Sequence, residues 1–485
     1  MIMTNIIGRE REISELMSLY DSGKAEFVAV YGRRRVGKTY LVDETFRGRI
    51  TFRHAGLSPI DDEGNKQLTI DQLRGFFYSL KIYGMKQNKC PKTWLEAFFM
   101  LEQLLMEKDN GERMLVFLDE LPWMDTARSG FVRAFESFWN SWACHRPNVM
   151  LVVCGSATSW MQDNLVNNHG GLYGRITYEI CLRPFTLGEC EAYYKSRDIR
   201  MSRYDMVQSY MIFGGIPYYL GYLRREYSLA QNVDDIFFSR QAKLKDEYDR
   251  MFSSAFSNPD DIKNIVKVLA DRRSGYTRQE ISRLTGIADS GALTKLLRAL
   301  VASDYVLTYQ PFGMGKRDER YKLIDHFTLF YLRFVNGTNR LDDGFWSVSH
   351  TSPQVISWRG FAFEEVCLSH IAQIKTALGI SGVSSTQSSW SVKGDSDSDL
   401  GTQIDLLIIR KDNVINMCEM KFYHEEFTVD KSYHRTLVHR QNLLSERIPR
   451  RAVIHPTLIS TYGIKYNEYS GDFVKVLTLD CLFCQ

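Results

Sequence analysis

Short apolar runs, separated by longer stretches of helical period, set the pattern of the first part of the chain. Residues 27–31, 114–118 and 149–154 are such runs, and each reads as a strand buried on both faces. Ahead of them Ile13, Leu16 and Met17 share one face of an amphipathic helix. Buried strands divided by helical pattern predict an α/β fold, a parallel sheet with helices on both faces. A tract rich in Tyr and Phe follows, reaching Gly214-Gly215-Ile216-Pro217; this reads as a helical lid broken at a rigid turn. From Asp260 the pattern changes. Ile262, Ile265, Val266 and Leu269 predict one helix, Thr277 and Glu280 have the capping-box spacing that opens a second, and Leu293, Leu296, Leu297 and Leu300 line a third. Two strand-like runs, 305–309 and 320–324, flank a Gly- and Lys-rich loop. Three helices and a hairpin predict a winged helix-turn-helix. Finally, residues 401–409 and 414–422 read as two strands joined by the three-residue loop 411–413. The expected division is 1–185, 186–255, 256–340 and 345–485.

The first run leads directly into chemistry. Gly32, Arg33, Arg34, Arg35, Val36, Gly37, Lys38 and Thr39 match G-x-x-x-x-G-K-[ST], with Tyr40 starting a helix. Strand, loop and helix in that order form a P-loop, a phosphate cradle: the glycines free the backbone, and its N–H groups with the positive helix end surround a polyphosphate. Lys38 would reach the phosphates, and the Thr39 hydroxyl would ligate magnesium. The second run ends at Asp119 and Glu120. Asp119 would hold Mg²⁺ through water, and Glu120 would orient and deprotonate the attacking water. The third run ends before Ser156, a candidate sensor of the terminal phosphate. All three motifs fall at the carboxyl ends of the strands, where open α/β sheets bind ligands. Arg175, in a polar Gly-rich stretch, is a candidate arginine finger or one more exposed arginine. It would serve its own nucleotide or a neighbour's, which leaves a homo-oligomer or a protein partner open. Pro217 could pack its ring against a purine.

These strings, YGRRRVGKT, LDELPWM, CGSATSWM, LYGRIT and GGIPYYL, occur in order and resemble the archaeal-type ATPase family, a branch of the AAA+ and signal-transduction ATPases. The resemblance covers residues 5 to about 225. It implies ATP as the ligand, with Lys38, Thr39, Asp119, Glu120 and Ser156 in the roles above, Arg175 as the finger and Pro217 beside the adenine.

Counting back from Arg410 paired with Val414 sets Asp405 opposite Glu419, with Lys421 on the same face. Two facing carboxylates repel unless a cation lies between them. A divalent metal there could activate water for phosphodiester cleavage, with Lys421 stabilising the developing charge. The Asp–(x13)–Glu-x-Lys arrangement resembles the PD-(D/E)xK nuclease superfamily, an α/β restriction-endonuclease-like fold that commonly ends archaeal-type ATPases. The resemblance implies Glu364 or Glu365 as an extra metal contact and Gln441 as an accessory residue; Ile404 stands where that superfamily usually has Pro. An active nuclease and an inactive scaffold both remain open. DNA, if bound, would meet Lys295, Arg298, Lys316 and Arg317 through its phosphates.

Composition narrows little. A net charge of +3 over 485 residues puts any nucleic-acid contact on local patches. The nine scattered cysteines read as reduced and packed. Residues 1–9 show no basic-then-apolar leader, and no apolar run approaches the length of a membrane span; a cytoplasmic protein without a membrane partner is expected. The acidic run 395–399 reads as a solvated loop.

Overall fold

The computed structural model describes residues 6–58, 68–167, 170–256, 258–336, 344–392 and 401–484; the run 395–399 lies outside them. The chain divides into two compact units, neither of them continuous. One comprises Met1–Arg183, Asp249–Ile262 and Lys295–Asp304; the other comprises Pro184–Tyr248, Lys263–Thr294 and Tyr305–Gln485.

In the first unit β1 (Glu26–Tyr31), β2 (Ile50–Ala55), β3 (Met114–Asp119), β4 (Val149–Gly155) and β5 (Tyr178–Cys181) form one parallel sheet in the order β2-β3-β4-β1-β5. Every residue of β1, β3 and β4 is buried, as strands covered on both faces require. On one face, Phe27, Phe52, Val116 and Leu151 meet the helices Thr69–Ile82, Trp94–Lys108 and Phe131–Ser141 in a core rich in aromatic rings. Phe98 stacks on Phe138 at 5.3 Å, and Trp94 meets Phe131 edge-on at 4.9 Å. The order of strands brings the carboxyl ends of β1, β3 and β4 side by side, and the three motifs with them.

The second unit holds two sheets. β6 (Tyr276–Thr277), β7 (Val306–Tyr309) and β8 (Arg320–Leu323) are antiparallel in the order β6-β8-β7. The helix Arg278–Thr285 opens on the expected capping box, Thr277 with Glu280, and closes on Gly286 in the left-handed region. The larger sheet contains β9 (Ser385–Val392), β10 (Thr402–Arg410), β11 (Val414–Lys421), β12 (Val453–Ser460) and β13 (Lys475–Thr478), ordered β13-β12-β11-β10-β9. β10 runs antiparallel to β9 and β11, and β12 runs parallel to β11 and β13. The helices Pro353–Ser369 and Lys431–Ser445 precede β9 and β12. Among the described residues no helix is long and apolar enough to cross a membrane, and all nine cysteines are free.

Candidate functional site

The phosphate loop lies between β1 and the helix Lys38–Thr45. Gly32 has φ +140° and Gly37 φ +92°, conformations closed to most side chains. A Cβ on Gly32 would also drive into the carbonyl of Leu182, so the loop turns here only because no side chain is present. Gly32→Ala is therefore expected to lose about 1–3 kcal/mol of stability to backbone strain, and ATP binding with it. Thermal unfolding with and without the nucleotide checks both.

Lys38 is buried, and its amine donates to the carbonyls of Gly32 and Arg33, each at 2.9 Å. Burial pulls its pKa down, against the opposing charges of Glu120 and Asp119. An ammonium held in this way among loop carbonyls gains a stronger partner when a phosphate oxygen enters. Thr39 Oγ1 donates to Asp119 Oδ2 at 2.9 Å. Asp119 is raised above the usual carboxylate range, first by burial and then by the charge of Glu120. A hydroxyl and an anionic oxygen in contact at the foot of the cradle are the hard oxygen donors that Mg²⁺ takes. Arg53 on β2 reaches the same carboxylate at 4.0 Å and Asp43 at 3.1 Å.

Glu120 follows in a left-handed conformation, φ +45°. One of its oxygens, Oε2, accepts both the Ser156 N–H at 3.0 Å and the Ser156 hydroxyl at 2.8 Å. Ser156 does lie at the tip of β4, and in this state its hydroxyl is spent on the candidate base. Val36 is buried, Tyr40 and Arg175 are exposed, and Pro217 is half-buried at the start of a short helix in the other unit. Two contacts to the loop were not foreseen. The helix Glu247–Ala255 sends Met251 Sδ to within 3.7 Å of Arg33 Nη2, and its Ser254 hydroxyl accepts from Arg34 Nη1. Nothing in the spacing of a helix two hundred residues downstream announces such a return.

Residues 6–223 match the family described as an ATPase domain predominantly from Archaea. This part of the chain is an archaeal-type ATPase domain. An uncharacterized protein of Methanocaldococcus jannaschii is 24% identical over 385 residues, covering 76% of this chain and 77% of its own. Among solved structures, a Walker-type ATPase of Pyrococcus abyssi is similar at 19% identity and a TM-score of 0.46, covering 68% of this chain and 96% of its own. The ORC2 protein of Aeropyrum pernix, in its ADPNP–ADP complexes, is similar at 13% and 0.40, covering 67% of this chain and 93% of its own.

In the C-terminal sheet the hairpin has the register counted from the sequence. Ile409 pairs with Ile415 and Leu406 with Cys418; the ladder ends there, one residue short of Asp405 and Glu419. Asn413 closes the turn at φ +62°, as the last position of a three-residue loop requires. Against β9, β10 slips by one residue between Ile404 and Leu407, a bulge that contains Asp405. The surroundings of the carboxylates differ from expectation. Glu419 is buried and accepts from Arg440 Nη1 at 2.5 Å and the Tyr433 hydroxyl at 2.6 Å, with Lys421 Nζ at 3.8 Å. Both new partners come from the helix Lys431–Ser445, and the residue that reaches the acid is Arg440, not Gln441. Asp405 accepts from Gln403 at 2.5 Å. Glu364 is pushed up to about 8, first by burial, then by the charges of Asp405 and Glu365. Glu365 pairs with Lys322 at 2.6 Å. Among the described residues no group of three His, Cys, Asp or Glu side chains is placed to hold a metal; of the three predicted metal contacts, Glu419 is paired with Arg440, and Glu364 feels the charge of Asp405.

Proposed function

We propose that this chain is a Mg²⁺-dependent ATP hydrolase whose nucleotide state acts on a nucleic-acid-directed C-terminal part. The observation that carries the reading is the Thr39–Asp119 hydrogen bond of 2.9 Å beside the buried Lys38. It joins the phosphate cradle of one strand to the acidic tip of another. Lys38, Gly37 and the loop amides bind the phosphates, and Thr39 with Asp119 would hold the magnesium ion. Bound there, the ion would neutralise charge on the phosphates. Glu120 takes the proton of the attacking water. Ser156 fixes which carboxylate oxygen is available for that. Arg175, exposed on its turn, supplies the finger to its own nucleotide or to one on a second copy.

The helix Arg278–Thr285 with β6, β7 and β8 serves as part of a winged helix, whose hairpin loop would meet DNA phosphates through Lys316 and Arg317. The two helices, three strands, helix and two strands from Pro353 onward serve as the nuclease-like part. A specific observation favours the scaffold reading of that part over an active nuclease: Glu419 is already bonded to Arg440 and Tyr433. Calorimetry on the full chain tests the central claim. The wild type is expected to bind ATP with Mg²⁺, and Lys38→Ala is expected to bind at least about a hundredfold more weakly, from the loss of a buried charged contact. Equal binding by the two proteins overturns it. For the C-terminal part, Mn²⁺-dependent cleavage of DNA that Asp405→Ala removes would restore the nuclease reading.

A further inference from the structure

The guanidinium of Arg34 is half-buried beside the phosphate cradle, and none of the described residues gives it a carboxylate. Its partners are neutral. It donates to the Ser254 hydroxyl and stands 5.8 Å from the centre of the Trp123 ring, three residues after Glu120. Its charge is close enough to weigh on the Lys38 amine. The Ser254 hydroxyl donates to the carbonyl of Arg250 at 2.8 Å, which leaves its oxygen lone pairs to accept. An unmatched cation held by a neutral oxygen at the mouth of an anion site is a donor on loan: a phosphate oxygen offers a charge-assisted bond about twice as strong, in a fork geometry suited to guanidinium.

We propose that Arg34 is a phosphate ligand held in reserve by the helix Glu247–Ala255, exchanging its guanidinium between Ser254 and the terminal phosphate of ATP. The inference rests on the ATP-binding reading above and adds to it a contact made by a side chain rather than by the loop backbone. Its consequence is directional. When ATP arrives, Arg34 leaves Ser254, and the helix loses that tie to the loop while Met251 stays beside Arg33. The nucleotide state is thereby passed to the segment that leads into the middle helices, with ATP and ADP read differently.

Binding of ATP and of ADP to the full chain, each with Mg²⁺, separates the possibilities. Arg34→Ala is expected to weaken ATP about tenfold or more, the worth of one hydrogen bond between charged groups, and to leave ADP within about twofold. Ser254→Ala removes the competitor and is expected to tighten ATP a few-fold, an effect opposite in sign. Arg34→Ala/Ser254→Ala should match Arg34→Ala alone, and Arg34→Lys, which keeps the charge without the fork, should fall between it and wild type. A common structural role would shift both single variants the same way. Equal loss of ATP and ADP in Arg34→Ala, or weaker ATP binding in Ser254→Ala, overturns the exchange. A wild-type chain that binds neither nucleotide overturns the underlying reading instead.

Discussion

Glu120→Gln is expected to bind ATP as tightly as the wild type and to release phosphate about 10²–10⁴ times more slowly. Glutamine has the same shape and keeps a carbonyl oxygen to accept from the Ser156 N–H and hydroxyl, now at 3.0 and 2.8 Å. What it loses is the ability to take a proton from water. Steady-state phosphate release alongside calorimetry makes the distinction. A large fall in turnover at constant affinity assigns the base, whereas a fall in both would mean that the acid braces the loop. Ser156→Ala, in contrast, should leave the base intact but unanchored, so that turnover falls by less than in Glu120→Gln.

Arg440→Met is expected to lower the unfolding free energy by about 3–5 kcal/mol, the cost of leaving a buried carboxylate without its cation. Glu419 has only 5% of its surface exposed, and removing the guanidinium leaves it the Tyr433 hydroxyl and a more distant Lys421. Glu419→Gln combined with Arg440→Met should recover part of the loss, because the orphaned charge goes too. Denaturant unfolding of the variants and wild type checks this. Adding Mn²⁺ to the Arg440→Met chain supplies a second readout. A rise in stability that the wild type does not show would mean that the arginine occupies the place of a metal ion.

Much of the nucleotide site was legible because its parts are local. The P-loop is eight consecutive residues, and the acids and Ser156 sit immediately after apolar runs, where strand tips are expected. The hairpin register could be counted because a three-residue loop and period-two alternation leave little freedom. Of the six strands without a counterpart in the sequence pattern, β2 and β9 escaped notice for the opposite reason. β2 carries Arg53 and His54 at the edge of its sheet, and β9 reads Ser-Thr-Gln-Ser-Ser-Trp-Ser-Val, so neither shows an apolar run; tertiary pairing, not propensity, makes them strands. The partners of Glu419 were missed because Tyr433 and Arg440 lie seven residues apart, two turns of one helix, and only a folded sheet brings that face to the acid. Arg34 is one of three successive loop arginines, and only the folded helix Glu247–Ala255 sets Ser254 across from it.

The nucleotide-binding unit is assembled from three separate pieces of chain, and that has a bearing on how such a protein can be rebuilt. A single cut after Arg183 would strip away Met251 and Ser254, which touch Arg33 and Arg34, and Asp304, which lies 3.8 Å from Arg183. Modules of this kind are not beads to be snipped and restrung. Grafting the motor onto a new tail would have to carry the two returning segments along, so inheritance of the motor and of its middle helices is tied together by topology.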